Sequence, residues 1–165
     1  MNNFPQPQID NIGGLATFRF TQVESVISVA RPTDHKITSS VQLKVGKLWY
    51  TGYASVDSLK YSEESKQDDN GHYIQSSLKG FVPESPEMLQ LLVQMDGRRF
   101  IVHLTDNDDL EKIAGTKEQP LTFNCDFETQ TVSGIKGYNY QFTGILEKRA
   151  PIYELTSGSS SGSTA

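Results

Sequence analysis

A single cysteine, Cys125, in 165 residues leaves nothing from which to build an intrachain disulfide framework or a thiolate zinc site. Histidine is almost as scarce. His35, His72 and His103 stand in no H-x-x-x-H or H-E-x-x-H spacing, so no pair is presented to a metal from one helical face. No apolar run approaches the ~18 residues that a membrane-spanning helix needs. There is no Walker loop, no G-x-G-x-x-G and no G-x-S-x-G elbow; "IGG" and "SGIKG" read as turn glycines. The 15 Lys and Arg are scattered among 20 Asp and Glu, for a net charge of −5, so counterion release offers little affinity for nucleic acid and no sequence-specific binding is expected. The opening "MNNFPQPQIDNIGG" has neither a basic nor an apolar region, so no secretory signal is expected and synthesis in the cytoplasm is.

What the chain does have is alternation. "ATFRF" (Ala16 to Phe20) and "VQLKV" (Val41 to Val45) alternate apolar and polar residues, the latter followed by Gly46 and the aromatic run "KLWYTGY". In "LTFNCDFE", Leu121, Phe123, Cys125 and Phe127 share one face, opposite Thr122, Asn124, Asp126 and Glu128. In "GYNYQFTGIL", Tyr138, Tyr140 and Phe142 share one face, opposite Asn139, Gln141 and Thr143. Period-2 patterns this regular predict half-buried antiparallel strands with one face wet or open to a partner. "FIVHL" (Phe100 to Leu104) is apolar on both faces and predicts a central strand covered on both sides.

One segment has helical period. Ser85 suits an N-cap and Pro86 the first turn; Met88, Leu91, Leu92 and Met95 recur on one stripe, and Gly97 stops the helix. The long stretch Leu59 to Phe81 predicts a β-hairpin around "DDNG", with Asn70-Gly71 as a type I′ turn. Its arms are polar near the tip, so the hairpin either projects or pairs with a neighbouring subunit. The fold class expected is mainly β: an antiparallel sandwich- or barrel-like sheet, one amphipathic helix at about 86–96 and a long hairpin at about 59–81. Three regions follow: an extended arm over 1–14, one β-rich domain over 15–154, and a Gly/Ser-rich tail over 155–165.

The stretch "TDNDDLEKIAGTKEQPLTF" offers Asp106, Asp108 and Asp109 as cation ligands, but an EF-hand loop counted from Asp106 places Leu110 and Glu111 where an oxygen ligand and a glycine belong. The better reading is a turn, a short strand "LEKIAG" and a second turn, giving a three-stranded meander with "FIVHL" and "LTFNCDF". Cys125 on its apolar face reads as a structural thiol and His103 as a hydrogen-bonded core or interface histidine. No catalytic residue, metal or cofactor is expected, and the chain reads as a non-enzyme.

"GT" at Gly115-Thr116, then "PLTFNCDFET" and "GYNYQF", form a pattern over roughly Leu89 to Tyr153 that resembles small structural proteins of the tail and neck type from tailed bacteriophages and prophages. That resemblance implies a virion protein, made in the host cytoplasm, that assembles into homo-oligomeric rings with other virion proteins as partners. An acidic lumen would let DNA pass. Subunit contacts are then expected at Phe4, Ile9 and Ile12 of the arm and at Tyr61, Asp69, Asn70, Gly71 and Tyr73 of the hairpin. The alternative is a β-sandwich module binding carbohydrate or a cell-surface ligand on a platform of Trp49, Tyr50 and Tyr53.

Overall fold

The computed structural model describes residues 14–55, 57–132 and 135–155, so Phe4, Ile9, Ile12 and the tail from residue 156 lie outside the described residues. The described chain is mainly β with one α-helix. In order it forms β1 (Leu15–Gln22), β2 (Val26–Ser28), β3 (Lys36–Ile37), β4 (Gln42–Leu43), β5 (Tyr50–Thr51), β6 (Lys60–Asp68), β7 (Gly71–Pro83), α1 (Pro86–Met95), β8 (Arg99–Asp106), β9 (Glu111–Ala114), β10 (Leu121–Val132), β11 (Ile135–Leu146) and β12 (Ile152–Tyr153). Pairing is antiparallel except between β12 and β3. The main sheet runs β3-β12-β9-β8-β10-β11-β7-β6, with β1 and β5 branching from β8 and a small β2–β4 pair beside it.

β8 is the centre, as its two-sided apolar pattern predicts. Phe100 through Leu104 are all buried. Phe100, Val102 and Leu104 enter the larger core with Phe18, Phe20, Leu78, Phe123, Tyr140 and Phe142. Ile101 points the other way, into a smaller cluster with Val26, Ile37, Val41, Ile113 and Tyr153. The period of 2 thus divides one strand between two cores. In the larger one Phe142 is the hub, its ring centroid 4.9 Å from that of Phe123 and 5.6 Å from that of Phe100. Both pairs are edge-to-face, the arrangement the aromatic quadrupole favours.

Helix α1 is capped as its sequence predicts: Ser85 Oγ accepts from Met88 N at 3.1 Å, with Pro86 in the first turn. Gly97, at φ +75, ends it, and its N–H turns to Phe123 O. Its buried stripe is narrower than the sequence suggests. Leu92 and Met95 are buried, whereas Leu91 is 44% exposed at the edge of the contact.

Three expectations need correction. First, β8, β9 and β10 are not a meander. β1 takes one edge of β8 from Phe100 to Asp106, so β9 and β10 share the other, at Val102–Thr105 and at Arg99–Phe100. Both run antiparallel to β8. The loop between them, with Gly115 at φ +93, is therefore an excursion, after which the chain resumes its old direction. At this point the sheet divides into a β9-β12-β3 wing and a β10-β11-β7-β6 wing.

Second, the hairpin turn is centred one residue earlier. Asp68 pairs with Gly71, so Asp69 and Asn70 form the turn; Asn70 N donates to Asp68 Oδ1 at 2.8 Å and Gly71 takes φ +121. Glycine supplies the positive φ that follows the turn, and Asn70 does not share it. Two successive positive-φ residues occur instead at Asp34 and His35, closed by reciprocal Thr33–Lys36 backbone bonds of 2.9 and 3.0 Å. Third, "VQLKV" and "KLWYTGY" supply only two-residue strands, because the turn at Lys44–Lys47, with Gly46 at φ +76, interrupts pairing and leaves Val45 fully exposed.

Candidate functional site

The hairpin is anchored more firmly at its base than its composition suggests. β7 pairs with β11 from Ile74 to Pro83, so that length of the hairpin has a third strand. On the core face of β6, Tyr61 OH donates to Glu63 Oε1 at 2.7 Å and shares a 2.9 Å bond with Ser76 Oγ. Glu63 Oε1 also accepts from Ala150 N at 2.7 Å, and Arg149 Nη1 lies 3.3 Å from Oε2. Burial, first among several causes, pushes the Tyr61 phenol well above its ordinary pKa. Tyr61 is therefore anchored within the chain, by Glu63 and Ser76. Ile74 pairs with Ser65 on one side and with Leu146, the end of β11, on the other. From there to the tip, Lys66 to Tyr73 form a two-stranded overhang. Asp69, Asn70 and Gly71 are exposed on it and Tyr73 is half-buried.

The aromatic run is divided by the sheet. Tyr50 pairs with Phe20 and its ring lies 5.8 Å from that of Phe20, on the larger-core face. Trp49 packs 6.0 Å from the His103 ring on the opposite face. Tyr53 is exposed beside α1, and its carbonyl accepts from Tyr140 OH at 2.8 Å. Trp49, Tyr50 and Tyr53 therefore do not form one flat platform. Tyr53 instead borders a small apolar cleft of about 120 Å³ between helix and sheet, lined among others by Phe18, Met88, Leu91 and Met95.

His103 is 2% exposed and stands between unlike charges that the sequence did not connect. Arg19, opposite it in the β1–β8 register, donates from Nε at 3.2 Å to Nδ1, with Nη2 2.7 Å away. That leaves the proton on Nε2, which sits 3.1 Å from Glu111 Oε1 without hydrogen-bond alignment. The Tyr153 ring packs edge-on at 5.2 Å. Burial, aided by the Arg19 charge, lowers the His103 pKa to about 4, so the ring is neutral at pH 7. The only signal for this trio was register, which appears once β1 is placed on β8.

Elsewhere the titratable groups are dispersed. Among the described residues, no three His, Cys, Asp or Glu side chains are close enough together to hold a metal. The turn at "DNDD" is tight, with Asp109 at φ +64, Asp109 N on Asp106 O at 3.1 Å and Asp106 N on Leu110 O at 2.9 Å. Burial raises the Asp106 carboxyl above its ordinary range. Cys125 is half-buried against the larger core, and burial followed by Asp96 and Asp126 pushes its thiol up to about 11. No described helix is long and apolar enough to cross a membrane.

The outer face of the sheet is the broad polar surface that the strand alternation predicts. Asn124 lies opposite Gln141, Asp126 opposite Asn139, and Gln141 opposite Lys79 on β7. With Ser58 they line a shallow groove of about 400 Å³. Its side chains offer amide donors and acceptors, one carboxylate and one ammonium, while Phe81 beneath is buried. No family model, curated protein or solved structure matches this chain.

Proposed function

We propose that this chain is a non-enzymatic structural protein that acts by assembling with copies of itself, of the tail or neck type found in tailed phage virions. The observation that carries the reading is the outer hairpin: a long strand with one edge unpaired in the described chain, ending in an overhang without a third strand. Such an edge offers unpaired backbone groups on which the strand of another chain can pair. The net charge of −5 fits a surface that repels phosphate and lets DNA slide past. The phage assignment itself rests on the "PLTFNCDFET…GYNYQF" resemblance.

Size-exclusion chromatography with multi-angle scattering, followed by negative-stain microscopy, tests this. Rings are expected. A strictly monomeric protein at high concentration, with hydrodynamics that do not respond to deletion of the hairpin tip, would refute it. A second reading, a carbohydrate- or cell-surface-binding module, draws support from the polar groove over β7, β10 and β11, and not from Trp49. Glycan-array binding that is lost in Gln141→Ala and Asn124→Ala but kept in Trp49→Ala would favour it.

A further inference from the structure

β6 reads KYSEESKQD, and its nine residues make an edge about 30 Å long at the usual rise per residue. One side of it carries β7; among the described residues the other side carries no strand, and near its base the Glu63 carbonyl accepts from Arg149 Nη1 at 3.3 Å. An edge of one repeated charge would repel a copy of itself. Here Lys60, Glu64, Lys66 and Asp68, which share one face, alternate in sign, with Glu63 on the other face, and their order decides which pairing fits.

A two-fold axis perpendicular to the sheet sets β6 of one copy antiparallel to β6 of another, with side chains of matching face opposed. Centred on Glu63, Glu64 or Lys66, that pairing opposes a charge with its own kind, which is destabilising. A parallel in-register stack does so at every charged position. Unlike charges are opposed when the axis passes through Ser62, Ser65 or Gln67. Of these the Ser65 register gives the longest ladder, Ser62 to Asp68. It places Glu64 against Lys66 of the second copy, and by symmetry Lys66 against Glu64. Within one chain these two side chains already lie 3.4 Å apart on the polar face, so the pairing closes a square of alternating charges.

The same register answers the overhang. β11 ends opposite Ile74, the partner of Ser65, and the ribbon beyond has only two strands, an arrangement of marginal stability in water. A second copy centred on Ser65 adds the missing strands over that length. We infer that β6 is a self-pairing edge, joining two copies of this chain through an antiparallel β6–β6 ladder centred on Ser65. This contact rests on the self-assembly reading and narrows it: it closes on itself as a dimer, so a ring would need other surfaces in addition.

A cysteine cross-link reads the register directly. Residues directly opposed in an antiparallel pair have Cα atoms ~4.5–5.5 Å apart, within disulfide reach. In a Cys125→Ser background, Ser65→Cys is expected to give a covalent dimer on mild oxidation and Ser62→Cys to give none. Glu64→Lys, at an exposed position, opposes lysines at both charge contacts and is expected to weaken self-association roughly ten-fold or more by sedimentation equilibrium. Adding Lys66→Glu restores it. Absence of the Ser65→Cys dimer, a dimer through Ser62→Cys instead, or association indifferent to Glu64→Lys each overturns the inference. Rings without the Ser65 cross-link would sink this contact and spare the assembly reading; a cross-linked dimer with nothing larger would do the reverse.

Discussion

Replacing Glu63 with alanine removes the clasp between the outer hairpin strand and the chain that follows β11. The Glu63 side chain is 13% exposed and accepts two short bonds, from Tyr61 OH and from Ala150 N, both at 2.7 Å. A hydrogen bond to a charged acceptor contributes about 1.5–3 kcal/mol net. Tyr61 keeps Ser76 as a partner at 2.9 Å, so its loss is partly compensated, while Ala150 N is left with none of Glu63's help. The Arg149 contact at 3.3 Å involves a half-exposed guanidinium and adds little. The sum is about 3 kcal/mol. For a chain of this length each 1 kcal/mol moves the melting temperature by about 2–4 °C, giving a fall of about 6–12 °C. Glu63→Gln retains an acceptor for Ala150 N and should cost about 1 kcal/mol. Calorimetry gives the melting shift, and amide hydrogen exchange shows whether β6 opens before the rest of the sheet. If Glu63→Ala melts within 2 °C of the parent and β6 amides keep their protection, the hairpin is held by something other than this clasp.

His103 should impose a pH dependence. Its folded pKa near 4 lies below its ordinary value of 6.5, so the unfolded chain binds the extra proton first. Stability is full above about pH 6.5 and falls as pH drops towards 4, and urea midpoints of His103→Leu should lack up to one proton of that slope. The Cys125 thiol, pushed up to about 11, should react with iodoacetamide at pH 8 at least ten-fold more slowly in the folded than in the urea-unfolded protein. Gly52 lies against the Phe18 ring, into which any added Cβ would run, and its N–H donates to Phe18 O at 2.9 Å. Gly52→Ala should therefore cost about 1–3 kcal/mol by chemical denaturation, as overpacking does elsewhere.

Composition and periodicity by themselves determined the mainly β class, the two-sided burial of Phe100 to Leu104, the shared face of Tyr138, Tyr140 and Phe142, and the Ser85-capped helix. Each is a local matter: alternation, capping and propensity act over a few residues, and the buried face follows from the period. Tertiary structure decided what depends on which strand lies beside which. β1 occupies a whole edge of β8, so β9 and β10 must share the other and the expected meander cannot form. The same pairing sets Arg19 beside His103, residues far apart in the chain, and separates Trp49 from Tyr50 across the sheet. The hairpin shows both halves. Its two arms were legible from "DDNG", while the third strand at its base, the Glu63 clasp and the overhang beyond Ser65 arise from non-local pairing that no short window of sequence contains.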